Sequence, residues 1–103
     1  MSVICSEQER TLTARLAGEI DHHAAKEIMA ELAEQIDAAL PEHLVLELSQ
    51  VTFMDSSGIA VLLHAWRRMG QLGGTMVVTQ TPPQAQRVLK AAGLDRLLKF
   101  ESQ

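Results

Sequence analysis

The segment Phe53-Met54-Asp55-Ser56-Ser57-Gly58 separates two different periodicities. The apolar run Leu44-Val45-Leu46-Glu47-Leu48 precedes it, with Val51 just beyond. Ile59, Leu62, Leu63, Trp66 and Met69 follow at steps of three and four, the spacing of one helical face. The six residues therefore make a strand-to-helix corner. Asp55, Ser56 and Ser57 stand where the helix begins, and their side-chain oxygens suit the unpaired N–H groups of a first turn. A cap needs one such residue. Three in succession leave side chains free for another role.

Working outward toward the N-terminus, Ser2–Ser6 reads as a short strand and Glu7–Arg10 as a polar turn. From Thr11 the pattern alternates, with Leu12, Ala14 and Leu16 against Thr11, Thr13 and Arg15, which is a half-buried strand. The two strands suggest an antiparallel hairpin. Gly18-Glu19-Ile20-Asp21-His22-His23 ends the second strand, and Asp21 takes the N-cap of a first helix. Ala25, Ile28, Met29, Leu32 and Ile36 form the apolar face of that helix, and Pro41 stops it. Leu44–Leu48, apolar at most positions, reads as a central strand covered on both faces.

Toward the C-terminus, Gly70–Gly74 is a turn and Thr75–Thr79 a strand. Pro82-Pro83 opens a third helix, with Ala85, Val88, Leu89 and Ala92 facing inward. Gly93 is a glycine cap followed by its hydrophobic contact, Leu94. Leu97–Phe100 is a short last strand. The order β-β-α-β-α-β-α-β is an α/β class with a mixed, mostly parallel sheet and flanking helices. In such sheets the loops leaving the strands' carboxyl ends gather along one rim, where ligands bind. Asp21, with His22 and His23, is thereby expected beside Ser56.

The 103 residues, 47% of them hydrophobic, suffice for one domain and one core but not for two. Aromatics are only 3%, so the core is aliphatic. A net charge of −4, with Arg67-Arg68 as the only adjacent basic pair, argues against nucleic acid. The single cysteine, Cys5, has no companion for a disulfide or a zinc site, which fits a reducing compartment. The first residues carry no secretory pattern, and no window approaches the roughly 20 apolar residues of a membrane span. These features predict a soluble, cytoplasmic protein with no membrane association.

Several chemistries fail on spacing. A serine hydrolase elbow needs Gly-x-Ser-x-Gly, and the segment here is Met54-Asp55-Ser56-Ser57-Gly58. No late loop supplies a histidine base, since His64 lies within the second helix. His22 and His23 are neighbours, and adjacent helical residues point roughly 100° apart, so they make no two-ligand metal face. Gly73-Gly74 lacks the Lys-Ser/Thr of a phosphate loop. A covalent phosphate is different. On a serine at a helix start it adds ~−1.5 to −2 charges at the positive end of the macrodipole. The helix tolerates that charge, whereas a partner docked beside Asp55 and Asp21 meets concentrated negative potential.

Leu16-Ala17-Gly18-Glu19-Ile20-Asp21-His22-His23, Val51 to Gly58, and Gly73-Gly74-Thr75-Met76-Val77-Val78 together resemble the anti-sigma factor antagonists, which are single STAS domains. The likeness runs from about Thr11 to Phe100 and is nearest to the sporulation antagonists of endospore-forming bacteria. Asp-Ser-Ser-Gly is common among STAS domains. Its pairing with Gly-Glu-Ile-Asp-His-His at this separation is more specific. The second-helix segment His64-Ala65-Trp66-Arg67-Arg68 departs from the family's usual face.

The resemblance implies one STAS domain over residues 1–103 and a regulator that is not an enzyme and holds no cofactor of its own. In the family, the unphosphorylated form binds an anti-sigma factor that is also a serine kinase carrying ATP and magnesium, and this frees the sigma factor. The kinase phosphorylates the serine after the motif aspartate, here Ser56, and a serine phosphatase reverses the step. Asp21, His22, His23, Asp55, Ser57 and Gly58 are carried over, with Ser56 itself, as partner-binding residues. A second implication comes from STAS domains that serve as non-switching subunits of membrane transporter complexes, where Ser56 is only a cap.

Overall fold

The computed structural model describes residues 2–101. The expected domain's outermost positions, 1, 102 and 103, lie outside them. The elements run β1 (Ser2–Gln8), β2 (Thr11–Ile20), α1 (His22–Ala39), β3 (His43–Met54), α2 (Ser57–Gln71), β4 (Thr75–Thr79), α3 (Pro83–Ala91) and β5 (Lys99–Glu101), with a 3-10 turn at Leu94–Arg96 before the last strand. The five strands form one sheet in the order β1-β2-β3-β4-β5. The β1–β2 pair is antiparallel, and the other neighbours are parallel. This is the mixed, mostly parallel α/β arrangement expected from the sequence.

Sequential parallel strands joined by right-handed crossovers put every helix on the same face of the sheet. Burial agrees. Leu12, Ala14 and Leu16 of β2, Leu44, Leu46 and Leu48 of β3, and Met76 and Val78 of β4 are buried on the helix side. They meet Ile28, Leu32 and Ile36 of α1, Val61, Leu62, Ala65 and Met69 of α2, and Ala85 and Leu89 of α3 in one core cluster. The opposite face carries exposed Arg15 and Thr75 and half-buried Thr13, Val45 and Val77. The expectation that Leu44–Leu48 is covered on both faces is therefore corrected. Its Val45 and Glu47 belong to a face without helices.

Local chemistry explains the other departures. β1 continues through Gln8, and the turn shrinks to Glu9-Arg10, both at positive φ (52° and 66°). A two-residue loop with two positive φ values matches the twist of a hairpin. The inner face of α2 includes Val61 and Ala65, with Ile59, Leu63 and Trp66 packed at its margins. Ala92 is exposed at the end of α3, while Gly93 (φ 80°) and buried Leu94 make the expected cap. The last strand begins at Lys99 because the Leu97 and Leu98 amides fold back onto the Leu94 carbonyl at the end of the 3-10 turn. Gly74 is required by close approach, since a Cβ there lies 2.6 Å from the Glu42 carbonyl oxygen.

Among the described residues Glu47 is the one buried carboxylate, only 6% exposed although it lies on the sheet face without helices. Its Oε2 accepts from Arg15 Nε at 2.6 Å and its Oε1 from the Ser49 amide at 2.6 Å. Burial opposes ionisation, but the hydrogen bonds from Ser49 and Arg15 outweigh it and hold the carboxyl below its ordinary range. A depressed folded-state pKa contributes stability above the unfolded value of about 4.3, and that contribution is lost as pH falls through the folded value. Glu47→Ala is expected to destabilise by about 2 kcal/mol at pH 7, because Ser49 N–H and Arg15 lose their acceptor. Urea melts at pH 7 and pH 3 check this. The deficit should shrink at the lower pH.

Candidate functional site at the carboxyl ends of the central strands

β2 and β3 outrun β4, which pairs with β3 only over His43–Glu47. Past that point two register shifts bring Ile20 level with Met54. The Asp55 amide then donates to the Ile20 carbonyl at 3.2 Å. The strands thus end side by side, and Asp21 and Asp55 leave them next to each other. The shared rim expected from the topology is present, with His22 and His23 at the start of α1 and Ser56 at the start of α2.

The three polar residues of the corner divide their work. Asp55 Oδ1 accepts from the Ser57 amide at 2.8 Å, and its carbonyl accepts from the Gly58 amide at 3.0 Å. Ser56 holds the N-cap position with helical dihedrals (φ −62°, ψ −17°), and its side chain makes no capping hydrogen bond. Its carbonyl accepts from Ile59 N–H at 3.1 Å. The capping is therefore done by Asp55, and Ser56 presents an exposed hydroxyl at the positive end of the helix. Ser57 is half-buried. Gly58 is buried against Met54 and shapes the loop from beneath.

Asp21 is the N-cap of α1, as expected, with Oδ1 accepting from the Ala24 amide at 2.9 Å. That hydrogen bond, and secondarily the charge of His23, holds its carboxyl below the ordinary range. By the same sign rule, the stabilisation is complete above the unfolded aspartate pKa and fades as pH falls through the folded one. Asp21→Ala should lower the melting temperature at pH 7, with the gap to the parent narrowing in acid. Scanning calorimetry over that range checks it. The His22 and His23 rings meet edge to face, centroids 5.8 Å apart, and both side chains are exposed.

Two further residues belong to this rim, one with a local signal in the sequence and one without. Phe53 is 42% exposed, an apolar ring on the strand that leads into the serine loop. Gln84, at the start of α3, grips the backbone of Met54: its Oε1 accepts from Met54 N–H at 2.8 Å and its Nε2 donates to the Met54 carbonyl at 2.7 Å. An exposed aromatic next to polar motif residues is a local signal for Phe53. Gln84 has none, because its contact spans 30 positions. An open cavity of about 750 Å³, lined by Trp66, Met69, Met76 and Leu97, lies at the far end of α2, away from the rim. No described helix is long and apolar enough to cross a membrane.

The model of the STAS domain family matches residues 3–103. The anti-sigma F factor antagonist of Paenibacillus polymyxa is 38% identical over 87 residues, covering 84% of this chain and 74% of that protein. The anti-sigma F factor antagonist of Lysinibacillus sphaericus is 31% identical over 84 residues, covering 82% and 72%. Among solved structures, the unphosphorylated anti-sigma factor antagonist SpoIIAA superimposes with a TM-score of 0.84 at 25% identity, over 99% of this chain and 88% of that one. The Bacillus cell fate determinant SpoIIAA in its phosphorylated form shares the fold, with a TM-score of 0.76 at 24% identity over 99% and 91%. The family model over residues 3–103, relatives up to 38% identical and the shared fold make the chain a STAS domain of the anti-sigma factor antagonist family.

Proposed function

We propose that this protein is a single-domain, non-enzymatic switch in the cytoplasm. Its unphosphorylated form binds an anti-sigma factor that is a serine kinase, and binding releases the sigma factor. The kinase, which carries the ATP and magnesium, then phosphorylates Ser56 and ends the association. A serine phosphatase resets the cycle. The observation that carries this reading is the free, exposed hydroxyl of Ser56 at a helix start whose cap is already supplied by Asp55. Asp21, His22, His23, Asp55 and Ser57 surround it as the contact rim, and exposed Phe53 adds an apolar element. The relatives named as anti-sigma F factor antagonists support the regulatory role.

The chemistry suits an interface switch. A phosphate on Ser56 brings ~−1.5 to −2 charges and three acceptor oxygens. Beside Asp55 and Asp21 it concentrates negative potential on the surface the partner must cover. The test is incubation with the anti-sigma kinase and Mg-ATP, followed by intact-mass measurement and peptide mapping. The expected result is one added phosphoryl group on the peptide containing Ser56. A chain that binds the kinase and frees the sigma factor but never gains mass is a non-switching antagonist. A chain that does neither is not an antagonist of that kinase.

A further inference from the structure

The outer edge of β3 changes partner along its length. Over His43–Glu47 it pairs with β4, but β4 ends at Thr79, and β3 runs on to Met54. On the inner edge, the Asp55 amide bonds Ile20. In a parallel ladder, alternate residues face alternate neighbours, so Met54's own N–H and C=O point outward, where no strand stands. Both groups are taken by one side chain, the Gln84 amide, at 2.8 and 2.7 Å. A primary amide is the side-chain copy of a peptide group and satisfies one donor and one acceptor together. Gln84 is therefore a one-residue substitute for the missing strand.

Its placement is stiff. Pro82 and Pro83 fix the entry to α3, Pro82 at φ −63° as the N-cap and Pro83 at the first helical position. The Gln86 amide closes the first turn on the Pro82 carbonyl at 2.9 Å. Met54 in turn is fully buried and is the residue immediately before Asp55 and Ser56. The stem of the serine loop is thus held on one side by Ile20 and on the other by Gln84. We infer that Gln84 is a positioning residue for Ser56: its amide fixes the loop in the geometry that the partner kinase reads, and ties that loop to α3. The inference builds on the Ser56 switch proposed above.

The test compares Gln84→Met, similar in length but unable to hydrogen-bond, with Gln84→Glu and with Gln86→Ala as a control on an exposed neighbour. Amide hydrogen exchange at Met54 and Asp55 should be about tenfold faster in Gln84→Met, the equivalent of one net hydrogen bond. Phosphorylation of Ser56 should fall about tenfold or more in kcat/KM at a temperature where every variant is folded, as expected for a misplaced reacting group. Gln84→Glu supplies a readout that general destabilisation does not move. Its carboxylate accepts from Met54 N–H but faces the Met54 carbonyl with a second acceptor, and protonation restores a donor. Exchange protection at Met54 should rise with acid, relative to the parent, in that variant only. Parental phosphorylation rates in Gln84→Met, or unchanged exchange at Met54 and Asp55, overturn the inference. If the parent itself takes up no phosphate, the Ser56 reading falls, and the exchange measurements alone decide whether Gln84 holds the loop.

Discussion

Ser56→Ala is expected to take up no phosphate, to melt within a degree or two of the parent, and to bind the kinase permanently. The exposed hydroxyl makes no capping bond, so its loss leaves the first turn of α2 to Asp55, as before. Surface substitutions that break no such contact stay within about 0.5 kcal/mol. In the parent, phosphorylation should weaken kinase binding about a hundredfold, or roughly 3 kcal/mol. The melting temperature should barely move, because the phosphate meets a helix N-terminus and solvent rather than packed side chains. Ser56→Asp should reproduce only part of the loss, having less charge and fewer acceptor oxygens. Titration of the unmodified, aspartate and phosphorylated forms against the kinase, with melting curves beside each, decides the matter. A phosphorylated form that unfolds or repacks would place the switch inside the domain instead of at its surface.

The parts of this design that periodicity controls were legible in the chain. Alternation at Thr11–Leu16 and steps of three and four after Ile59 named strand and helix, because burial on one side imposes those repeats. Asp21 was legible as a cap because a carboxylate stood directly before a helical run. The corner itself was readable only as a group. Asp55, Ser56 and Ser57 all offer oxygens, and the choice of Asp55 rests on a turn in which its carboxylate reaches the amide two residues on. That choice is what frees Ser56.

What stayed hidden depends on residues distant in sequence. Leu44–Leu48 looked like a strand buried on both faces because Val45 is apolar and Glu47 is a single exception. Only the strand order shows that all helices lie on one side, and only the Arg15 and Ser49 partners explain why Glu47 is buried. The spacing of large residues marks the face of α2 but gives no sign of small, buried Ala65, which lets the helix sit close on the core. Gln84 is the clearest case. A glutamine in a first helical turn is unremarkable, and its role arises because β4 is shorter than β3.

Gly58→Val is expected to be the most damaging single substitution near the rim, at about 3 kcal/mol, the upper part of the range for forcing atoms into a packed site. A Cβ at residue 58 lies 2.5 Å from Met54 Cγ and 2.6 Å from its Sδ, well inside contact distance. Moving the Met54 side chain aside displaces the packed atoms around it. That side chain is fully buried, and the Met54 backbone is pinned by Gln84. Replacing glycine recovers up to about 1 kcal/mol of helix propensity, which makes Gly58→Ala milder, but the second and third carbons of valine find no room. For a domain of this size the expected fall in melting temperature is on the order of 15 °C. Pairing Gly58→Val with Met54→Ala tests the cause. If the clash is with Met54, the truncation that costs stability alone should cost less beside valine, giving a coupling of about 1 kcal/mol or more in urea melts. Strict additivity would show that valine acts elsewhere. Because residue 58 supports the loop from below, Gly58→Ala should also displace Ser56 and slow its phosphorylation while the domain remains folded. It would thereby reproduce from the helix side the defect that loss of Gln84 produces from the strand side.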